Sequence, residues 1–238
     1  MKTGKIGVIG AMRHEVEILH ARMNVACQET IADMTFYEGT VGRMPVVLVM
    51  CGIGKVNAGI CASLLIDHFH CSAIINTGIA GSLDPELDIE DIVVSDAAIQ
   101  HDMDVCGLGY EKGQVPGLNV RAFPADAQMR RLVVDAVREL APEVRVFEGT
   151  VVSGDTFVHD SEDKHRIHQE TGGLCCEMEG AAMAQTAWLF HVPFVIVRAI
   201  SDKADETSSR SYQEIEEEAS LRISAITASV LEHLGERI

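Results

Sequence analysis

Basic residues are scarce in this 238-residue chain: 19 Lys and Arg stand against 36 Asp and Glu, a formal net charge of −17. A surface that acidic repels phosphate backbones and anionic lipid, which argues against nucleic acid and membrane as partners. Small neutral or zwitterionic ligands remain compatible. No apolar run approaches the roughly 18 residues a membrane span needs. Met1–Gly10 reads as a short strand, too brief and glycine-broken for the apolar core of a signal peptide. Paired cysteine spacings are missing too. The seven cysteines, at 27, 51, 61, 71, 106, 175 and 176, are odd in number and contain no C-x-x-C. That argues against a disulfide framework and a structural zinc site. Several lie in apolar runs, where a thiol behaves as a small hydrophobe, so a reducing, cytoplasmic compartment is expected. Linkers, repeats and low-complexity segments are also absent. With 47% hydrophobic residues to build a core, 1–238 is expected to form a single domain.

What is present is an alternation of short β-rich apolar runs with helical stretches. Strands are predicted at Lys5–Ile9, Val46–Met50 (in a hairpin with Thr35–Val41), Ile74–Thr77, Ile92–Ser95, Val144–Val152 and Phe194–Ile200. Unbroken Val/Ile runs suit strands covered on both faces. Helices are predicted at Lys55–Phe69, Ala125–Leu140, Glu179–Phe190 and Tyr212–Leu234. The last carries Ile215, Ala219, Ile223, Ile226, Val230 and Leu234 on one stripe, three or four residues apart. The fold class is therefore α/β, a mixed, largely parallel central sheet flanked by helices. Four strands run into polar or glycine-rich turns, at Gly10–Glu15, Asn76–Ser82, Ser153–Val158 and Arg198–Asp202. Ligands of open α/β sheets sit beyond the carboxyl ends of strands. If the strands are parallel, these turns converge on one rim.

Some motifs carry less than they promise. Gly52-Ile-Gly-Lys55 resembles a nucleotide loop, but Val49 stands where a Walker motif needs glycine and Val56 where it needs Ser or Thr. Asn57 likewise replaces the third glycine of a dinucleotide fingerprint, so a tight turn into a helix explains the motif better. His101-Asp-Met-Asp104 would alternate faces in a strand and could not converge on one ion. His165 and His168 lie three apart on a predicted helix, without a third ligand nearby. No metal and no cofactor are expected.

The carboxylates say more. Glu15 falls in the first turn after a strand, where a helix N-terminus stabilises negative charge. Glu177 and Glu179 flank Met178 where an apolar stretch turns into a helix, and Asp202 ends an apolar strand. Each has an ordinary structural explanation alone, as a helix-start or turn residue. Acids delivered by three separate strand ends to one rim suit chemistry through a cationic, oxocarbenium-like transition state.

The ordered blocks Ile9-Gly-Ala-Met-Arg-His-Glu15, Gly52-Ile-Gly-Lys-Val56, Asn76-Thr-Gly-Ile-Ala-Gly81, Asp91-Ile-Val-Val-Ser-Asp96, His101-Asp-Met-Asp-Val105, Gly109-Tyr110, Ser153-Gly-Asp-Thr-Phe157, Glu177-Met-Glu179 and Val197-Arg-Ala-Ile-Ser-Asp202 span nearly the whole chain. In them the sequence resembles the 5′-methylthioadenosine/S-adenosylhomocysteine nucleosidases, of nucleoside phosphorylase-like fold. The resemblance implies that Glu15 is the base for the attacking water and Asp202 the acid at purine N7 and N6. Glu179 would clamp the ribose hydroxyls, and Arg198 would lie close to the water. It further implies that Phe157 stacks on adenine, that the Val158 backbone pairs with its edge, and that Met178 packs on the ribose. Met12, Ile53 and Tyr212 would line an apolar slot for the 5′-thio group. Gly81, Glu177 and Ser201 complete the implied substrate contacts. Val105, Leu108 and Pro116 match a loop that reaches the neighbouring subunit's site, implying a homodimer. The implied activity is release of adenine from methylthioadenosine, S-adenosylhomocysteine and 5′-deoxyadenosine.

The chemistry agrees with these roles. Adenine leaves poorly as an anion, so protonation at N7 removes most of the difficulty. A free Asp has a pKa of about 3.9, so Asp202 must be shielded or proton-coupled to act near neutrality. Two positions depart from the family pattern: Ile79 stands where Ser is usual and Leu108 where Phe is usual. The phosphorylase branch holds phosphate with an Arg and a Ser on the turn that here carries Asn76 and Ile79, which offer neither charge nor hydroxyl. A carboxylate at Glu15 would also repel phosphate. Water is thus the expected nucleophile. The rival readings are a futalosine-type nucleosidase, a purine nucleoside phosphorylase, and a non-catalytic storage or binding protein on the same fold.

Overall fold

A computed structural model describes residues 4–203 and 212–236. In chain order the strands are β1 (Ile6–Gly10), β2 (Met23–Ile31), β3 (Met34–Val41), β4 (Met44–Met50), β5 (Ala73–Ser82), β6 (Ile92–Gln100), β7 (Phe123–Pro124), β8 (Val146–Ser153), β9 (Cys175–Glu177) and β10 (Phe194–Asp202). The α-helices are α1 (Arg13–Arg22), α2 (Lys55–Asp67), α3 (Ala127–Leu140), α4 (Ser161–Thr171), α5 (Gly180–Phe190) and α6 (Tyr212–Glu236). All ten strands join one mixed sheet. Helices cover both faces, so β1 and β10 are buried along their whole length, as unbroken apolar runs require. The predicted stripe of α6, from Ile215 to Leu234, is buried against β5 and β10.

The sheet is less open than a doubly wound one. β10 pairs with both β6 and β5, so the path β10-β6-β8-β9-β5 closes on itself. β1 is parallel to β4 and β5, and β10 is parallel to β5. β6 runs antiparallel to β10, and β9 antiparallel to β5. Parallel β1, β5 and β10 therefore bring three of the four predicted turns to one rim as expected, while the turn after β8 arrives from strands running the other way. β9 meets β5 with Gly81 opposite Cys176, which brings the end of β9 alongside the far half of β5.

Two of the predicted turns are strand. Asn76–Ser82 belongs to β5 and Arg198–Asp202 to β10, paired from Asn76 opposite Ile196 to Gly81 opposite Asp202, with a bulge between Ile200 and Asp202. Polar side chains are tolerated there because each has a partner inside the protein. Asn76 Nδ2 donates to the Ile9 carbonyl at 3.0 Å, and the Thr77 and Thr227 hydroxyls meet at 2.8 Å. Residues 101–104 form a turn after β6 rather than a strand. β2 escaped the pattern entirely, being an edge strand exposed along most of its length with no apolar alternation to betray it. Among the described residues, no helix is long and apolar enough to cross a membrane.

Candidate active site

A cavity of about 480 Å³ opens where β1, β5, β9 and β10 and the segment after β8 meet. Glu15 sits at its base, carried in the first turn of α1. Its Oε2 accepts from the backbone N–H groups of Ala11 at 2.6 Å and Met12 at 2.8 Å, while Oε1 accepts from the Ile79 N–H at 3.0 Å. Burial raises its pKa above the ordinary carboxylate value, against the opposing pull of Arg198 and these three N–H groups. A buried carboxylate so held is oriented and more basic than a free one, as a general base at neutral pH should be. The contact from β5 comes from the backbone of Ile79, so the departure from Ser costs Glu15 nothing.

Arg198 lies in β10 and is buried, outside the cavity lining. Its Nη2 donates to Asn76 Oδ1 at 2.5 Å and to Glu177 Oε2. Glu177 lines the cavity, yet its oxygens are already engaged. They accept from Arg198, the Ser153 hydroxyl and the N–H groups of Glu179 and Gly180 at the start of α5. Gly78 separates Glu15 from Arg198: an ideal Cβ there would fall 2.1 Å from Arg198 Nη1 and 2.2 Å from Glu15 Oε1. Only a residue without a side chain fits between them.

Glu179 caps the start of α5 and accepts from the Gly54 N–H at 2.8 Å through Oε1. That contact gives the Gly52-Ile-Gly-Lys55 turn a purpose unrelated to phosphate. Burial, reinforced by the negative charge of Glu177, pushes Glu179 up to about 8. Asp202, at the end of β10, is buried and paired with Lys164 of α4.

Met12, Ile53, Gly81, Phe157, Val158, Met178 and Ser201 all line this cavity with Glu15, Glu177, Glu179 and Asp202. Phe157 stands at its mouth, 52% exposed. The loop residues Val105, Leu108 and Pro116 do not line it, and Leu108 is 75% exposed. α6 begins at Tyr212, whose side chain lies outside the described residues. Sequence reasoning missed Glu216, which lines the cavity from α6, and Lys164 behind Asp202. The available signal for Lys164 was its place three residues before Ile167 on the inner face of an otherwise polar helix.

The chain matches the model of the phosphorylase superfamily over residues 5–232. A relative from Exiguobacterium sp., named 5′-methylthioadenosine/S-adenosylhomocysteine nucleosidase, is 42% identical over 231 residues, covering 97% of this chain and 98% of the relative. The crystal structure of the Neisseria meningitidis enzyme of that name, in complex with methylthio-immucillin-A, superposes with a TM-score of 0.90 at 36% identity, covering 97% of this chain and 99% of the other. Futalosine hydrolase of Helicobacter pylori strain 26695 superposes at 0.89 with 28% identity, covering 97% of this chain and 98% of the other.

Proposed function

Because the chain belongs to the phosphorylase superfamily and, within it, to the 5′-methylthioadenosine/S-adenosylhomocysteine nucleosidases, we propose that it hydrolyses the N-glycosidic bond of these two nucleosides, and of 5′-deoxyadenosine, to adenine and the free sugar. The observation that carries the reading is Glu15 at the cavity base, buried and fixed by three backbone N–H groups. A carboxylate there suits activation of water and repels an anionic nucleophile. The nearby cation, Arg198, is buried outside the cavity lining with Nη2 donating to Glu177 and Asn76, so it is poorly placed to hold phosphate in the cavity.

In this reading the purine stacks on Phe157 and presents N7 to Asp202, while Glu179 holds the ribose hydroxyls through hydrogen bonds. Met178 packs on the ribose face. Water oriented by Glu15 adds to C1′ as the bond to N9 breaks, and its proton passes to Glu15. Met12 and Ile53 supply the apolar wall for the 5′-thio group.

The working unit is a homodimer in a reducing cytoplasm, each chain acting as one domain. α2 and α5 pack side by side and expose Val56 (71%), Ile60, Trp188, Leu189 and Phe190, a run of apolar side chains that a second copy would cover. Leu108, with Val105 and Pro116, then completes the neighbour's site. Seven free thiols suit a reducing compartment.

The deciding experiment is a panel of methylthioadenosine, S-adenosylhomocysteine, 5′-deoxyadenosine and a futalosine-type nucleoside, with and without phosphate, with products identified. Adenine and free methylthioribose should form at a rate independent of phosphate. Methylthioribose-1-phosphate would make the protein a phosphorylase, release of base from the futalosine-type substrate alone would make it that nucleosidase, and no base at all a binding protein.

A further inference from the structure

The cation beside Asp202 has no part in the scheme so far. Lys164 is 2% exposed, one of the largest fully buried side chains in the protein, and its Nζ donates to Asp202 Oδ1. The placement is built rather than incidental. Asp160 caps the N-terminus of α4, accepting from the Glu162 N–H at 2.8 Å, and the helix turns Lys164 and Ile167 inward. α4 also follows directly on the segment that carries Phe157 and Val158 into the cavity. Enclosing an ammonium carries a desolvation cost that persists after relaxation, and a buried ion pair is often matched or bettered by apolar residues of similar volume. Stability alone therefore gives no reason for a lysine at this position.

We propose that Lys164 is a positioning residue that stores the proton Asp202 delivers to the purine. This rests on the reading of Asp202 as the acid. In the resting pair Lys164 Nζ donates to Asp202 Oδ1, so the hydrogen between them is carried on nitrogen. As the C1′–N9 bond lengthens, the Nζ–H bond breaks and a bond from hydrogen to the Asp202 carboxylate forms. Asp202 passes a proton to N7, the C1′–N9 electron pair goes to the purine, and adenine leaves neutral. Lys164 remains as the amine and regains a proton from solvent, while Glu15 returns to solvent the proton it took from water. Asp202 and Lys164 thus act as one donor carrying one proton.

Among the described residues, few other titrating groups face the pair. Cys176 of β9 is beside it, but burial pushes that thiol far up and it stays neutral. The Ser201 hydroxyl on β10 lies 3.3 Å from Asp202 Oδ2, and the β5 contact comes from Gly81, which has no side chain. Glu216 of α6, Glu15 and Glu179 line the same cavity, Glu179 pushed up to about 8 and Glu15 also raised, and Glu177 is tied to Arg198. Glu15 and Glu179 titrate in wild type and variant alike, so the shift between the two reports on the pair.

The pH dependence of kcat/KM tests this, because it reports the free enzyme. A free ammonium loses its proton near 10.4 and a free Asp near 3.9. With methylthioadenosine, the wild-type alkaline limb should therefore lie above about pH 9, where a lone carboxylic acid would place it below about pH 7. Lys164→Met should move the limb down by at least about two pH units, losing roughly a hundredfold at pH 8 while staying within about tenfold of wild type at pH 5. Recovery at pH 5 also shows that the variant is folded. Lys164→Arg keeps the charge but releases its proton far less readily, and should lose at least about tenfold at pH 8. An unshifted limb in Lys164→Met, or wild-type activity in Lys164→Arg, overturns the proposal. If neither variant folds, a wild-type limb below about pH 7 does so. In each of these cases the wild type still releases adenine and Asp202→Asn does not, so the nucleosidase reading survives. Failure of the wild type to release adenine removes that reading itself.

Discussion

Gly78→Ala is the smallest change that should disable the site. The added methyl would lie 2.1 Å from Arg198 Nη1 and 2.2 Å from Glu15 Oε1, so Oε1 must recede by about 1 Å to reach even a tight van der Waals contact. The other carboxylate oxygen is pinned by Ala11 and Met12, so Glu15 pivots and gives up the 3.0 Å bond from the Ile79 N–H. A displacement of that size at a reacting group costs on the order of 100-fold in rate. The overpacking itself should cost about 1–3 kcal/mol, a melting point lower by roughly 2–12 °C in a chain of this length. The assay is kcat for adenine release from methylthioadenosine, measured alongside thermal unfolding. A folded Gly78→Ala protein with kcat within a few-fold of wild type would refute the argument that the Glu15–Arg198 spacing governs the chemistry.

Three further outcomes are expected. Asp202→Asn should lower kcat by roughly two to four orders of magnitude with little change in binding, since Asn still hydrogen-bonds the purine edge; activity within a few-fold of wild type removes Asp202 as the acid. Glu179, raised by burial from 4.5 to about 8, keeps its proton in the folded chain while the unfolded chain has already released it. Its contribution is complete below pH 4.5 and is lost as pH rises toward 8, by at most about 5 kcal/mol. Denaturant titrations should show Glu179→Gln gaining on wild type between pH 5 and pH 8, and an equal difference at both pH values contradicts this. Leu108→Asp should weaken methylthioadenosine binding while leaving each subunit folded, by setting a charge against the neighbour's apolar 5′ group; a fully active monomer by solution mass defeats the shared-site reading.

The parts legible in the sequence are those with a local signature. Apolar runs marked β1, β4 and β10, and the three-four spacing marked α6. Acids at strand ends marked Glu15, Glu179 and Asp202, which line one cavity. What hid was settled by distant partners. Asn76 to Ser82 looks like a turn because glycine and polar residues usually make one, but here they are enclosed by β1, β9 and β10. The closed strand path depends on β10 pairing two strands, which no local pattern records. Lys164 hid because its partner lies 38 residues away, and a lysine on a polar helix ordinarily points to water. The segment holding Val105, Leu108 and Pro116 does not line its own chain's cavity.

β5 also serves as the ruler of the catalytic centre. The backbone of Ile79 holds Glu15 and Gly81 stands opposite Asp202, so the proposed base and the proposed acid are registered two residues apart, about 7 Å along the strand. A slip of one residue between β5 and β10 would move the acid by about 3.4 Å and turn it to the other side of the sheet. Length changes near residues 76–82 or 198–202 should therefore be intolerable even where the fold survives. The tip of the β2–β3 hairpin, at Ala32 and Asp33, takes no part in this measure and should accept insertions freely.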